Sequence, residues 1–219
     1  MKAGPVALAA AALVAGSAPP ATADERPDTG HLVLAGVAMV PPTYVLGVTL
    51  HEGSHALAAE LLGLDITSIR LYPGVHPRNQ KFYFGWVDVR GIGSRGERTA
   101  FLVAPKINDA VFLGGYAALV LTGTVPDSRY GQLALAVVAT GFWIDFARDT
   151  IAWWPHNDTV RIYDSYGLDR EWKRLPFRLV HAGLAALAAL PIAKGYRGVF
   201  AADGATATPI VLPLWDARF

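Results

Sequence analysis

The chain contains no cysteine, so it can form neither a disulfide framework nor a thiol nucleophile, and any metal must be held by His, Asp or Glu. Charge is scarce as well. Only 17% of the 219 residues are Asp, Glu, Lys or Arg, against roughly a quarter in an ordinary soluble domain, which excludes a disordered polymer. Neither sign is in excess: the formal net charge is +1, too little for the Lys/Arg face that a nucleic-acid binder sets against phosphates. No nucleic-acid partner is expected. Apolar residues are abundant instead, at 53%, with a mean hydropathy of +0.31. The length suits one domain with a sizeable core and argues against a second.

The apolar residues are gathered into segments. Met1-Lys2, the Ala/Leu/Val run from Pro5 to Gly16 and Ala21-Thr22-Ala23 before Asp24 read as an export signal over residues 1–23, with an uncleaved anchor as the alternative. Four longer apolar stretches follow: Leu32 to Gly63, Phe101 to Thr122, Leu133 to Trp154 and Leu175 to Ile192. Each is near the roughly 20 residues that cross a bilayer, and Pro41-Pro42 should start or kink a helix within the first. Ile66 to Tyr72 and Phe82 to Val89 are β-branched and aromatic runs that flank a turn-like Pro73 to Gln80. The expected fold is an all-α membrane protein of about four transmembrane helices with a small membrane-surface β-hairpin. It divides into a signal at 1–23, a polytopic domain at 24–200 and an extracytoplasmic tail at 201–219.

Arginines orient the segments. Arg70, Arg78, Lys81, Arg90, Arg95 and Arg98 lie between the first two spans, and Arg161, Arg170, Lys173 and Arg174 between the last two, whereas Gly123 to Gln132 holds only Arg129. The positive-inside rule puts the two basic loops in the cytoplasm and the N-terminus outside, as an export signal also requires. Trp153, Trp154 and Trp172 fall where an interfacial belt is expected. A bacterial-type inner or cell membrane is the expected location.

His51-Glu52-Gly53-Ser54-His55 is an H-E-x-x-H motif within a helical stretch. Histidines at i and i+4 share one helix face and can both hold one Zn²⁺, and Glu52 stands where a general base for water is needed. With 6 His in the chain, chance supplies on the order of 0.004 such motifs, so coincidence carries little weight. Ionisable groups within a span are costly and usually functional. A catalytic zinc takes three protein ligands, and the candidates for the third are Asp109, Asp145, Asp149 and Asp158. Asp158 is preferred because it stands near the cytoplasmic end of a span, after the helix-breaking Pro155. Asp145, deeper in the third span, is the alternate, and Asp149 adjoins Arg148 as an ion pair.

The run His51 to Gly63 resembles the signature helix of the site-2 protease family of intramembrane zinc metalloproteases, with Ser54 where that family has Gly. Ala104-Pro105-Lys106-Ile107-Asn108 is similar to the family's A-G-P-x-x-N segment without its Gly, and Pro155-His156-Asn157-Asp158 stands where the family has a Pro-containing segment ending in a ligand Asp. The resemblance spans roughly residues 43 to 160 and implies zinc held by His51, His55 and an Asp, with Glu52 activating the water. It also implies a hairpin at Ile66 to Val89 that receives the substrate as an added strand. Asn108 would support the oxyanion, or else serve helix packing.

The expected activity is therefore zinc-dependent endopeptidase cleavage of membrane-protein or membrane-peptide substrates at a cytoplasm-facing site within the lipid bilayer. The alternative is a non-catalytic metal-binding membrane scaffold of the same fold. Glu52 separates the two, because a binding site alone does not require it. His181 is read as an interhelical hydrogen-bonder, and His76 and His156 as solvated. The oligomeric state is not legible.

Overall fold

The structure, a computed structural model, describes residues 28–201. The expected signal at 1–23 and residues 202–219 of the tail lie outside the described residues. Among the described residues the chain is mostly helical, in the order α1 (Thr29–Leu61), β1 (Asp65–Arg70), β2 (Gly74–Val75), β3 (Phe82–Tyr83), β4 (Trp86–Arg90), α2 (Arg95–Thr122), α3 (Arg129–Arg148), α4 (Asp158–Ser165) and α5 (Glu171–Phe200).

Local chemistry sets the ends of these elements. Asp28 caps α1 by accepting from the His31 N–H, and Gly63, at φ 69°, turns the chain out of the helix while the Leu64 N–H bonds back to the Ala59 carbonyl. Ser94 and Glu97 form a reciprocal capping box at the start of α2. The expected kink or restart at Pro41-Pro42 does not break α1, which runs through both as one 33-residue helix. The prolines delete two ladder bonds, and the uninterrupted turns on either side carry the helix across.

The expected hairpin is present as two successive ladders. β1 pairs antiparallel with β4, Ile66 opposite Val89 and Arg70 opposite Trp86, with a bulge between Ile66 and Ser68. Beyond it β2 pairs with β3. The hairpin packs on α1, where Leu64, Ala59, Phe101 and Leu102 form a small core with Ile66, Val87 and Val89 against it.

α2 is the central helix, packed against α1, α3, α4 and α5. Its Leu113, Tyr116 and Val120 join Ala136, Ala139 and Phe142 of α3 and Ile192 of α5 in the main core. Three helices among the described residues are long and apolar enough to cross a membrane: α1, α3 and α5. The sequence led us to expect about four. α2 fills the expected second stretch, but Lys106, Asn108 and Asp109 lower its hydropathy, and Lys106 and Asp109 are buried against its neighbours.

α3 ends at Arg148, short of the expected Trp154. The segment after it is irregular, and its Asp149, Thr150 and Ala152 carbonyls accept from the Arg178 guanidinium of α5. That irregular segment leads into α4, whose N-cap is Asn157 and whose first residue is Asp158.

Candidate metal centre

The i, i+4 spacing on α1 stacks His51 and His55 with ring centroids 5.2 Å apart. Both Nε2 atoms face the same carboxylate. Asp158 Oδ2 lies 3.0 Å from His55 Nε2 and 3.5 Å from His51 Nε2, so one potential ligand atom from each residue falls within 4.8 Å of the others. Two imidazoles and a carboxylate converging in this way fit the donor set of a zinc site that leaves a coordination position for a reactant.

Each ring is fixed from behind by its other nitrogen. The Nδ1–H of His51 donates to Asp145 Oδ2 at 2.9 Å, and the Nδ1–H of His55 donates to the Phe101 carbonyl at 2.8 Å. A carbonyl can only accept, so His55 keeps its proton on Nδ1 and presents Nε2 toward Asp158. The Phe101 carbonyl is available for a sequence-encoded reason: its helical partner would be the N–H of residue 105, and that residue is proline. Asp145, the alternate third ligand, is thereby placed on the opposite side of His51 from Asp158. Its second oxygen receives Arg148 at 2.7 Å.

Asp158 is held by its flanks. Asn157 Nδ2 donates to Asp149 Oδ1 at 2.7 Å and Thr159 Oγ1 to Asp149 Oδ2 at 2.7 Å. Asn157 Oδ1 in turn caps α4 by accepting from the Val160 N–H at 3.1 Å. Asp149 is 1% exposed. It therefore organises the segment that presents Asp158, in addition to its longer 3.8 Å approach to the neighbouring Arg148.

Glu52 is buried beside these groups and lines the same cavity of about 880 Å³. One end of that cavity is polar, with His51, Glu52, His55, Asp145, Arg148, Asp158 and Arg161. The rest follows apolar residues of α1 and α3 to Tyr196 and Phe200 of α5. Phe84, Gly85 and Trp86 of the hairpin also line it. Gly85 meets Glu52 directly: a Cβ there would lie 2.8 Å from Glu52 Cγ and 2.9 Å from the Arg70 carbonyl oxygen.

The remaining expectations fare unevenly. Asn108 is not among the cavity-lining residues, and its Nδ2 is buried without a partner among the described residues. His76 is buried rather than solvated: its Nδ1 accepts from the Arg78 N–H and its Nε2 bonds Asp88 Oδ2 at 3.1 Å. Within the hairpin burial pushes the Asp88 carboxyl up, but the hydrogen bonds from Ser68 and His76 outweigh it and hold it below its ordinary range. His156 is exposed, contacts Lys81 and lines the cavity mouth. His181 Nε2 has no partner among the described residues, while its ring packs edge-on against Phe146 of α3 at 4.4 Å.

Lys106 was missed in the reading of the sequence, although a lysine within an apolar run demands a counter-charge. Its Nζ lies 2.8 Å from Asp145 Oδ2 and 3.2 Å from Asp109 Oδ2. Asp109, a candidate ligand by sequence, is occupied there. No family model, curated protein or solved structure matches the chain.

Proposed function

We propose that this chain is a zinc-dependent intramembrane endopeptidase that hydrolyses peptide bonds in or beside membrane-spanning segments of its substrates. The convergence of His51 Nε2, His55 Nε2 and Asp158 Oδ2 beside the buried carboxyl of Glu52 carries this reading. The resemblance of His51 to Gly63, Ala104 to Asn108 and Pro155 to Asp158 to the site-2 protease family agrees with it.

His51, His55 and Asp158 would hold the zinc, with the Nδ1 partners Asp145 and Phe101 orienting the two rings. Zinc bound there supplies Lewis acidity toward the scissile carbonyl and makes water a nucleophile near neutral pH. Glu52 accepts the proton of the attacking water as its oxygen bonds the carbonyl carbon. It then delivers that proton to the amide nitrogen as the C–N bond breaks. The hairpin next to Glu52 offers backbone edges for an extended substrate segment.

In this reading α2 is a fourth crossing. Its ionic residues are shielded from lipid by α1, α3, α4 and α5 and paired among themselves, as polar groups at membrane depth require. The Arg-rich hairpin and α4 loops lie on the cytoplasmic side, so water reaches the site from there.

The test is purification in detergent with metal analysis and a cleavage assay on a membrane-spanning peptide. Glu52→Gln should keep zinc and lose cleavage, while Asp158→Asn should lose zinc. Wild-type protein that binds no zinc refutes the proposal, as does a fully active Glu52→Gln.

A further inference from the structure

Lys106 stands on α2, and its ammonium lies between the carboxylates that back the two halves of the site. On one side Nζ lies 2.8 Å from Asp145 Oδ2 and 2.8 Å from the Asp145 carbonyl, and Asp145 Oδ2 receives the His51 Nδ1–H. On the other side Nζ lies 3.4 Å from Asp149 Oδ2. The two Asp149 oxygens hold Asn157 and Thr159, the residues on either side of Asp158. Asp109 completes the cluster at 3.2 Å. The lysine side chain is 10% exposed, and Asp109 and Asp149 are 2% and 1%.

Resting on the metal-centre reading, we infer that Lys106 is a positioning residue whose ammonium locks His51 and the Asp158 segment into one geometry by bonding the carboxylates behind both. Three carboxylates this close, two of them buried and Asp145 22% exposed, repel one another unless a cation sits between them. Arg148 neutralises part of that charge from outside, at 2.7 Å from Asp145 Oδ1 and 3.8 Å from Asp149 Oδ1. Among the described residues only Lys106 touches all three. Removing its charge drives Asp145 and Asp149 apart, and the groups that they hold move with them. A lysine that merely fastened α2 to α3 would also stabilise the fold, but it would leave the ligand geometry alone once the protein was folded.

The experiment is Co²⁺ titration of the full chain, purified in detergent, read by visible absorption and by thermal unfolding. Lys106→Met should weaken Co²⁺ binding by about 10- to 100-fold and change the intensity of the d–d bands at saturation, because those bands report ligand geometry. Thr159→Val, which cuts one Asp149 arm and leaves every charge in place, should weaken binding on the order of tenfold. Leu113→Ala opens the α2 core and should lower Tm with Co²⁺ affinity and spectrum unchanged. Wild-type affinity and bands in folded Lys106→Met overturn the inference. If Lys106→Met yields no folded protein, wild-type binding by Thr159→Val overturns it equally. Absence of Co²⁺ binding by the wild type overturns the metal-centre reading itself, a separate outcome.

Discussion

The contact between Gly85 and Glu52 sets a sharp steric test. A Cβ at residue 85 would lie 2.8 Å from Glu52 Cγ and 2.9 Å from both Glu52 Oε1 and the Arg70 carbonyl oxygen. Ordinary carbon–carbon separation is about 3.5 Å or more, so Glu52 or the strand must shift by roughly 0.7 Å. The Arg70 carbonyl belongs to the end of the paired strand β1 and blocks escape on that side. Glu52 is buried, and its side chain is the part that yields. A displacement approaching 1 Å at a catalytic group costs about 10²-fold in rate, and overpacking of this kind costs about 1–3 kcal/mol of stability. Gly85→Ala should therefore reduce kcat by about 10- to 100-fold while zinc content stays at the wild-type level, because neither His51 nor His55 is touched. Gly93→Ala is the control, since its Cβ would meet nothing nearer than 3.7 Å. Steady-state cleavage of a membrane-spanning peptide with parallel metal analysis reads both quantities. Wild-type kcat in Gly85→Ala would refute the idea that the hairpin sets the Glu52 position.

Pro105→Ala returns an N–H that competes for the Phe101 carbonyl, so His55 loses its exclusive acceptor; zinc affinity should fall by about tenfold even as the helix itself is stabilised, read by chelator competition and Tm. Asp145→Asn keeps an acceptor for His51 but loses the charge, so it should weaken zinc by about 10- to 100-fold without abolishing it, and complete loss of zinc would instead mark Asp145 as a ligand. Ser94→Ala should cost about 1 kcal/mol through loss of the α2 cap, read by thermal unfolding. The Glu97 carboxyl, bonded by the Gly93 and Ser94 N–H groups, sits below its ordinary value. The stability that Glu97 adds is thus complete above the ordinary carboxylate range and lost as pH falls through its lowered value. The Tm difference between wild type and Glu97→Gln should narrow on acidification, and a constant gap would contradict the assignment.

Legibility followed distance along the chain. The H-E-x-x-H pair and the hairpin were readable because both depend on local periodicity: four residues per helix face, two per strand face. The prolines were visible but their consequences were not. Pro41-Pro42 suggested a break that the long apolar helix carries through, whereas Pro105 matters because it leaves one carbonyl, that of Phe101, without its helical donor. The end of α3 was placed too late because Arg178, distant in sequence, holds the carbonyls of the segment after it.

By itself the sequence determined that any metal donors had to be His and carboxylate, since cysteine is absent. It also determined that His51, Glu52 and His55 share one turn of one helix, and that the few charges in apolar stretches need partners. Tertiary structure decided which partners. Asp145 and Asp158 are both acids within reach of His51 by topology, and only packing puts one at Nδ1 and the other at Nε2. It also turned Asn108 away from the cavity and brought Lys106 among three carboxylates. The reason is physical: helical periodicity fixes which residues share a face, but the rotation and depth at which helices dock are set by long-range packing, and an imidazole distinguishes its two nitrogens only through what that packing brings to each.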